Sequence, residues 1–103
     1  MLGFVLFLST APVQAQTLVN FSGPATGWRV QYYVGTNPGV TLYNTPSSCA
    51  SGQLGLPSTA TEDEQNRLWA LLLSAKATGQ SIGFFYYVNS AGSCIIASFY
   101  LTP

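Results

Sequence analysis

The sequence predicts one mainly β domain carrying a single α-helix. Three observations support this. Apolar residues alternate along Trp28 to Val34 and Ser81 to Val88, a capped helical pattern runs from Thr61 to Gly79, and strand-like runs flank that helix on both sides.

The elements follow in chain order. Met1 to Ala15 read MLGFVLFLSTAPVQA, an apolar run ending in Val13-Gln14-Ala15, the small-x-small pattern of a signal-peptide cleavage site. A membrane span needs about 20 apolar residues, and this run breaks at Pro12. No Lys or Arg precedes the apolar segment, so the leader, residues 1–15, is read as truncated at its start. No Cys follows the cleavage site, which argues against a lipid anchor there. Cleavage after Ala15 leaves residues 16–103 as one domain: 103 residues less 15 leave 88. That is near the lower size at which a hydrophobic core alone suffices.

Thr17 to Ser22 is a weak first strand, and Gly23-Pro24-Ala25-Thr26-Gly27 a turn-rich break. In Trp28 to Val34, Trp28, Val30, Tyr32 and Val34 fall on one face and Arg29, Gln31 and Tyr33 on the other, the mark of a half-buried strand. Gly35 to Gly39 turns this strand into Val40 to Tyr43, making a hairpin. Asn44 to Ser58 reads as a loop with room for a short strand at Gln53 to Leu56.

The helix begins at Thr61, where Glu64 three residues on completes a capping box. Glu62, Asp63 and Glu64 occupy the first turn and Lys76 the last, each sign at the end where the helix dipole favours it. Gly79 supplies the C-cap. The acids therefore have a structural explanation that needs no catalytic role. Leu68, Leu71, Leu72 and Ala75 form a core-facing stripe, and Trp69 with Leu73 form a second, offset stripe. Two readings of that second stripe stay open: packing of Trp69 under a loop of its own domain, or a contact of Trp69 and Leu73 with a neighbouring subunit. Ser81 to Val88 then forms a strand with Ile82, Phe84, Tyr86 and Val88 on one face, and Asn89 to Gly92 turns it into Cys94 to Leu101. Both faces of that last strand are largely apolar, which predicts cover on both sides. Five or six strands, with the helix between the third and fourth, suit a small Greek-key barrel of the OB type.

Composition narrows the chemistry. Cys49 and Cys94 are the two cysteines, and an even count in an exported chain reads as a disulfide, worth roughly 4 kcal/mol if unstrained. The chain has no His and its acids are confined to residues 62–64, so two cysteines cannot complete a zinc site, and a catalytic Cys or Ser has no His base. No P-loop, dinucleotide fingerprint or carboxylate pair on separate elements is present, so no catalytic residue, metal or cofactor is expected. Three basic residues (Arg29, Arg67, Lys76) balance three acids, and charged residues are 6% of the chain, against about a quarter in an ordinary domain. Nucleic acid and acidic membranes are not expected as partners, because each calls for a basic patch. A neutral, charge-poor surface favours self-association. Asn20-Phe21-Ser22 matches a glycosylation sequon, relevant only in a eukaryotic secretory pathway.

Several blocks together resemble a known family: Gly27-Trp28-Arg29-Val30-Gln31-Tyr32-Tyr33-Val34, Ser48-Cys49, the helix Arg67 to Ala77 running into Thr78-Gly79-Gln80, the strand Ile82 to Tyr87, and Ser93-Cys94-Ile95-Ile96. They look like the B subunits of subtilase-cytotoxin and pertussis-like AB5 toxins and their small exported relatives. The resemblance implies an OB-type barrel assembled as a ring, usually a pentamer, with the helices lining its centre and the outer faces binding sugars. It further implies that Thr26, just before Gly27, stands where family members use a hydroxyl to hold a sialic-acid group.

The reading that results is a secreted or periplasmic, non-catalytic subunit of a homo-oligomer. It would recognise glycans of glycoproteins or glycolipids, with a separate A-type subunit as its further partner. Thr26, Tyr33 and Tyr43 would supply hydroxyls and stacking rings, Cys49 and Cys94 the disulfide, and Trp69 and Leu73 the subunit interface. The alternative is an envelope or secreted structural or inhibitory protein using the same barrel as a scaffold.

Overall fold

The computed structural model describes residues 17–36 and 38–102; the candidate leader 1–15 lies outside them, as does Asn37 of the Gly35–Gly39 turn. Among the described residues six strands form one mixed sheet: β1 (Val19–Pro24), β2 (Arg29–Tyr33), β3 (Gly39–Tyr43), β4 (Leu54–Gly55), β5 (Ser81–Val88) and β6 (Cys94–Leu101). Their spatial order is β1-β5-β6-β4-β3-β2. All ladders are antiparallel except β4 with β6, which meet in parallel at Gly55 and Ile95. The sheet does not close, and β1 and β2 are its edges.

One helix, α1 (Glu62–Thr78), lies between β4 and β5, hence between the fourth and fifth strands rather than the third and fourth as expected. The difference is the two-residue β4, whose Leu54 is wholly buried and pairs with Leu42. The first strand also sits two residues later than expected, because Gly23 and Pro24 join it opposite Ile82 and Ser81. An edge strand tolerates a proline, whose missing N–H would face away from the ladder.

The helix ends are as the sequence indicates. Glu64 N–H donates to Thr61 Oγ1 at 3.1 Å, and Thr61 N–H donates to Glu64 Oε1 at 2.8 Å. Gly79 adopts the left-handed conformation (φ 75°) and its N–H closes the helix on the Ala75 carbonyl at 2.9 Å.

Leu68, Leu72 and Ala75 turn into the core against Val40, Leu42, Leu54, Ile82 and Ile96, and Leu71 packs at its margin. An aromatic cluster fills the other end. Phe21 stacks on Phe84 (centroids 5.5 Å apart) and meets Trp28 and Tyr86 edge-on at 5.9 and 5.8 Å. Ser48 Oγ lies 3.1 Å from the Tyr86 hydroxyl, so the one polar atom of that buried ring is satisfied.

The apolar character of both faces of β6 has a cause other than cover on both sides. Ile96 pairs with Tyr86 but Ser98 with Phe85, so Ala97 is an extra residue in the strand. This bulge switches which residues face inward: Cys94 and Ile96 before it, Phe99 opposite Phe84 after it. The set holding Cys94 and Ile96 is thus apolar where it points in and continues as Ser98 and Tyr100 where it points out.

Cys49 and Cys94 are joined, with Cα atoms 6.3 Å apart across a sequence separation of 45. The bridge ties the loop leaving β3 to the start of β6. That loop is further held by Thr45, whose buried hydroxyl donates to the Gly52 carbonyl at 2.6 Å.

Candidate functional site

The hairpin β2–β3 presents its polar face outward. Because side chains alternate along a strand, Val30 and Tyr32 pack on the core while Arg29, Gln31 and Tyr33 point the other way. Opposite them stand Tyr43, Thr41 and Gly39 respectively. With only Gly39 directly across from it, Tyr33 has no side chain opposite and reaches diagonally along the face toward Tyr43. The two hydroxyls meet at 2.5 Å. The Arg29 guanidinium carbon sits 3.9 Å from the centre of the Tyr43 ring, within cation–π range. Tyr33 is 40% exposed, so the cluster offers an aromatic surface, two phenol oxygens and a fixed cation to solvent.

The hydrogen bond to Tyr43 raises the Tyr33 phenol above its usual 10.0; a little desolvation and repulsion from Tyr43 act in the same direction, and Arg29 opposes them. The Tyr33 hydroxyl therefore remains both donor and acceptor through the physiological range.

Thr26 lies in the 3-10 turn Ala25–Gly27 that joins β1 to β2, and its side chain is exposed. Among the described residues no hydrogen bond joins it to Tyr33 or Tyr43. The structure thus brings the two tyrosines together and leaves Thr26 on the neighbouring turn. That turn is held from below by Lys76, whose ammonium donates to the Ala25 carbonyl at 2.9 Å and to the Trp28 carbonyl at 2.8 Å. Lys76 thereby fixes the backbone on both sides of Thr26, besides sitting in the last turn of the helix.

Two contributors were not singled out from sequence. Arg29 shares the outward set with Tyr33, so its placement was legible; its contact with Tyr43 depends on the hairpin register. Lys76 gave no such signal, since its acceptors lie 51 and 48 residues away.

The second helix stripe divides. Trp69 meets Tyr32 edge-on (centroids 5.5 Å, planes at 79°) and packs against the core, while the Tyr32 hydroxyl donates to Asn66 Oδ1 at 3.0 Å. Leu73 is 46% exposed. Trp69 is thus satisfied largely within its own domain, by a strand residue rather than by a loop, and Leu73 is the large apolar side chain the helix shows outward.

Among the described residues no group of three or more His, Cys, Asp or Glu is placed to hold a metal ion, and no helix is long and apolar enough to cross a membrane. Asn20 of the sequon uses its amide hydrogens on the Phe84 carbonyl and the Tyr100 hydroxyl, at 2.9 and 2.7 Å. Comparison with known proteins finds no matching family model, no similar curated protein and no similar solved structure.

Proposed function

We propose that this protein is an exported, non-catalytic glycan-binding domain of the toxin B-subunit type, and that the outer face of β2–β3 holds the sugar. The observation that carries the reading is the Arg29–Tyr43–Tyr33 cluster. Saccharide recognition calls for a flat apolar surface under the C–H face of a pyranose and fixed polar groups for its hydroxyls. This cluster supplies both, with the rings pre-set by their mutual contacts so that little ordering is required on binding. Thr26, exposed on the turn that Lys76 fixes, is proposed to add one hydroxyl to this site. The disulfide favours an oxidising compartment, secreted or periplasmic.

An OB-type barrel is the architecture we propose for this scaffold. In support, β1 and β2 count as two halves of one strand interrupted at Ala25–Gly27. On that count α1 follows the third strand and precedes the fourth, and the third and fifth strands run parallel. We further propose assembly into a ring-shaped homo-oligomer, of five copies as in the family it resembles, with Leu73 in the contact. Its exposure and the charge-poor composition support this.

A glycan array probed with the mature chain and with a Tyr33→Ala/Tyr43→Ala variant tests the binding claim. Binding of a defined set of glycans that the double variant loses is the expected result. A wild type that binds no glycan defeats the reading, and a variant that binds as well as wild type removes the site from this face.

A further inference from the structure

A groove beside the helix arises from the topology. β4 touches β6 at a single residue pair, Gly55 with Ile95, and the chain then turns away through Leu56 and Pro57. β6 continues past the bulge at Ala97, and the first half of α1 lies across the gap between them. No side chain of the described residues fills it. The groove encloses about 310 Å³, with Leu56, Ile96 and Phe99 on its strand side and Glu64 and Arg67 on its helix side. None of its lining residues belongs to β2 or β3, so it is separate from the proposed sugar face.

The charges at its rim are not equivalent. Glu64 is engaged in the capping box, where it accepts the Thr61 N–H. Of the three cations, Arg29 lies over Tyr43 and Lys76 is bonded to two carbonyls. Arg67 is exposed and makes no hydrogen bond or ion pair among the described residues. The groove thus combines an apolar bed with one uncommitted guanidinium, a group whose forked donors match a carboxylate. Its volume lies at the small end of ligand sites, which begin near about 300 Å³.

We propose that this groove binds a small amphiphilic anion: a short aliphatic chain lying on Leu56 and Phe99, with its carboxylate paired to Arg67. The inference does not depend on the glycan reading. Backbone amide shifts of the mature protein, titrated with decanoate, decan-1-ol and decyltrimethylammonium below their micellar concentrations, test it. Decanoate should saturably shift Leu56, Ala97 and Phe99 and bind more tightly than decan-1-ol, with decyltrimethylammonium weakest. Arg67→Gln, an exposed substitution that leaves the core untouched, should weaken decanoate by about threefold to fivefold and leave decan-1-ol unchanged. The proposal is overturned by any of three results: no saturable shift at these amides with decanoate, tighter binding of the cationic probe, or undiminished decanoate affinity in Arg67→Gln.

Discussion

The outer faces of the two halves of the sheet both carry tyrosines with hydrogen-bonded hydroxyls, yet they use them differently. On the β1–β5–β6 side Tyr100 stands across from Gly83, and its ring occupies the space where any side chain at 83 would be. Asn20 donates to its hydroxyl at 2.7 Å, and Phe85 leans against it with centroids 6.0 Å apart. That ring is committed to covering a glycine. On the β2–β3 side Tyr33 and Tyr43 bond each other, Arg29 covers one face of Tyr43, and Gly39 opposite Tyr33 takes no ring over it. An exposed tyrosine points to binding only when its ring is not already serving as the cover for a backbone position. By that criterion the second face is the available one.

The largest effect is expected at the bridge between the two halves. Replacing Cys49 and Cys94 together by Ser should cost about 2–5 kcal/mol, measured by urea unfolding against the oxidised wild type. A loss well under 1 kcal/mol would mean that the loop and β6 hold together without it.

Gly83→Val comes next, because it sets a branched side chain against the Tyr100 ring. Overpacking of this kind costs about 1–3 kcal/mol, and the buried strand position leaves little room to relax. Glycan binding, read at a temperature where the variant is folded, should be unchanged. A variant as stable as wild type would show that Tyr100 swings away freely, and the contrast between the faces would then collapse.

A smaller effect is expected at the turn beside the candidate site. Lys76→Met keeps the aliphatic stem and removes the donor to the Ala25 and Trp28 carbonyls, at a cost of about 1 kcal/mol. Faster amide exchange at Gly27 and Trp28 should accompany it. Unaltered exchange there would assign Lys76 to the helix terminus alone.

The smallest effect is a titration. Tyr33 should form its phenolate above the ordinary 10.0, chiefly because of its bond to Tyr43, and Tyr43→Phe should bring that ionisation down toward the ordinary value. A raised value in the folded state means that the folded protein holds the proton more tightly. This small stabilisation is present below pH 10 and is lost as the pH rises through the raised value. Phenolate absorbance against pH, in wild type and variant, checks the direction.

What was legible in the sequence follows from range. The helix caps, the pairing of two lone cysteines and the alternation of β2 and β5 are local or combinatorial signals, and each appears in the structure, although the alternation stops short of Val34 and Val88, which are exposed instead of lying on the buried face. The bulge at Ala97 was not legible, because alanine carries no mark of extra length; it shows only as a strand apolar on both faces. The outward set Arg29–Gln31–Tyr33 was readable, but whether Tyr33 meets Tyr43 depends on the hairpin register and on Gly39 standing opposite. Trp69 is the converse: its position off the core stripe is consistent with a subunit contact, while a strand residue, Tyr32, already receives it.

The central claim is that the β2–β3 face, and not the other aromatic face, binds sugar. One calorimetric titration series addresses it directly. The best ligand from the array is titrated into wild type, Tyr43→Ala and Phe85→Ala, all shown by circular dichroism to be folded. Stacking and its hydroxyl should both go with Tyr43, so Tyr43→Ala should weaken binding by at least about tenfold, while Phe85→Ala stays within twofold of wild type. Loss of affinity in Phe85→Ala with Tyr43→Ala unaffected would contradict the account and move the site to the face where Tyr100 covers Gly83.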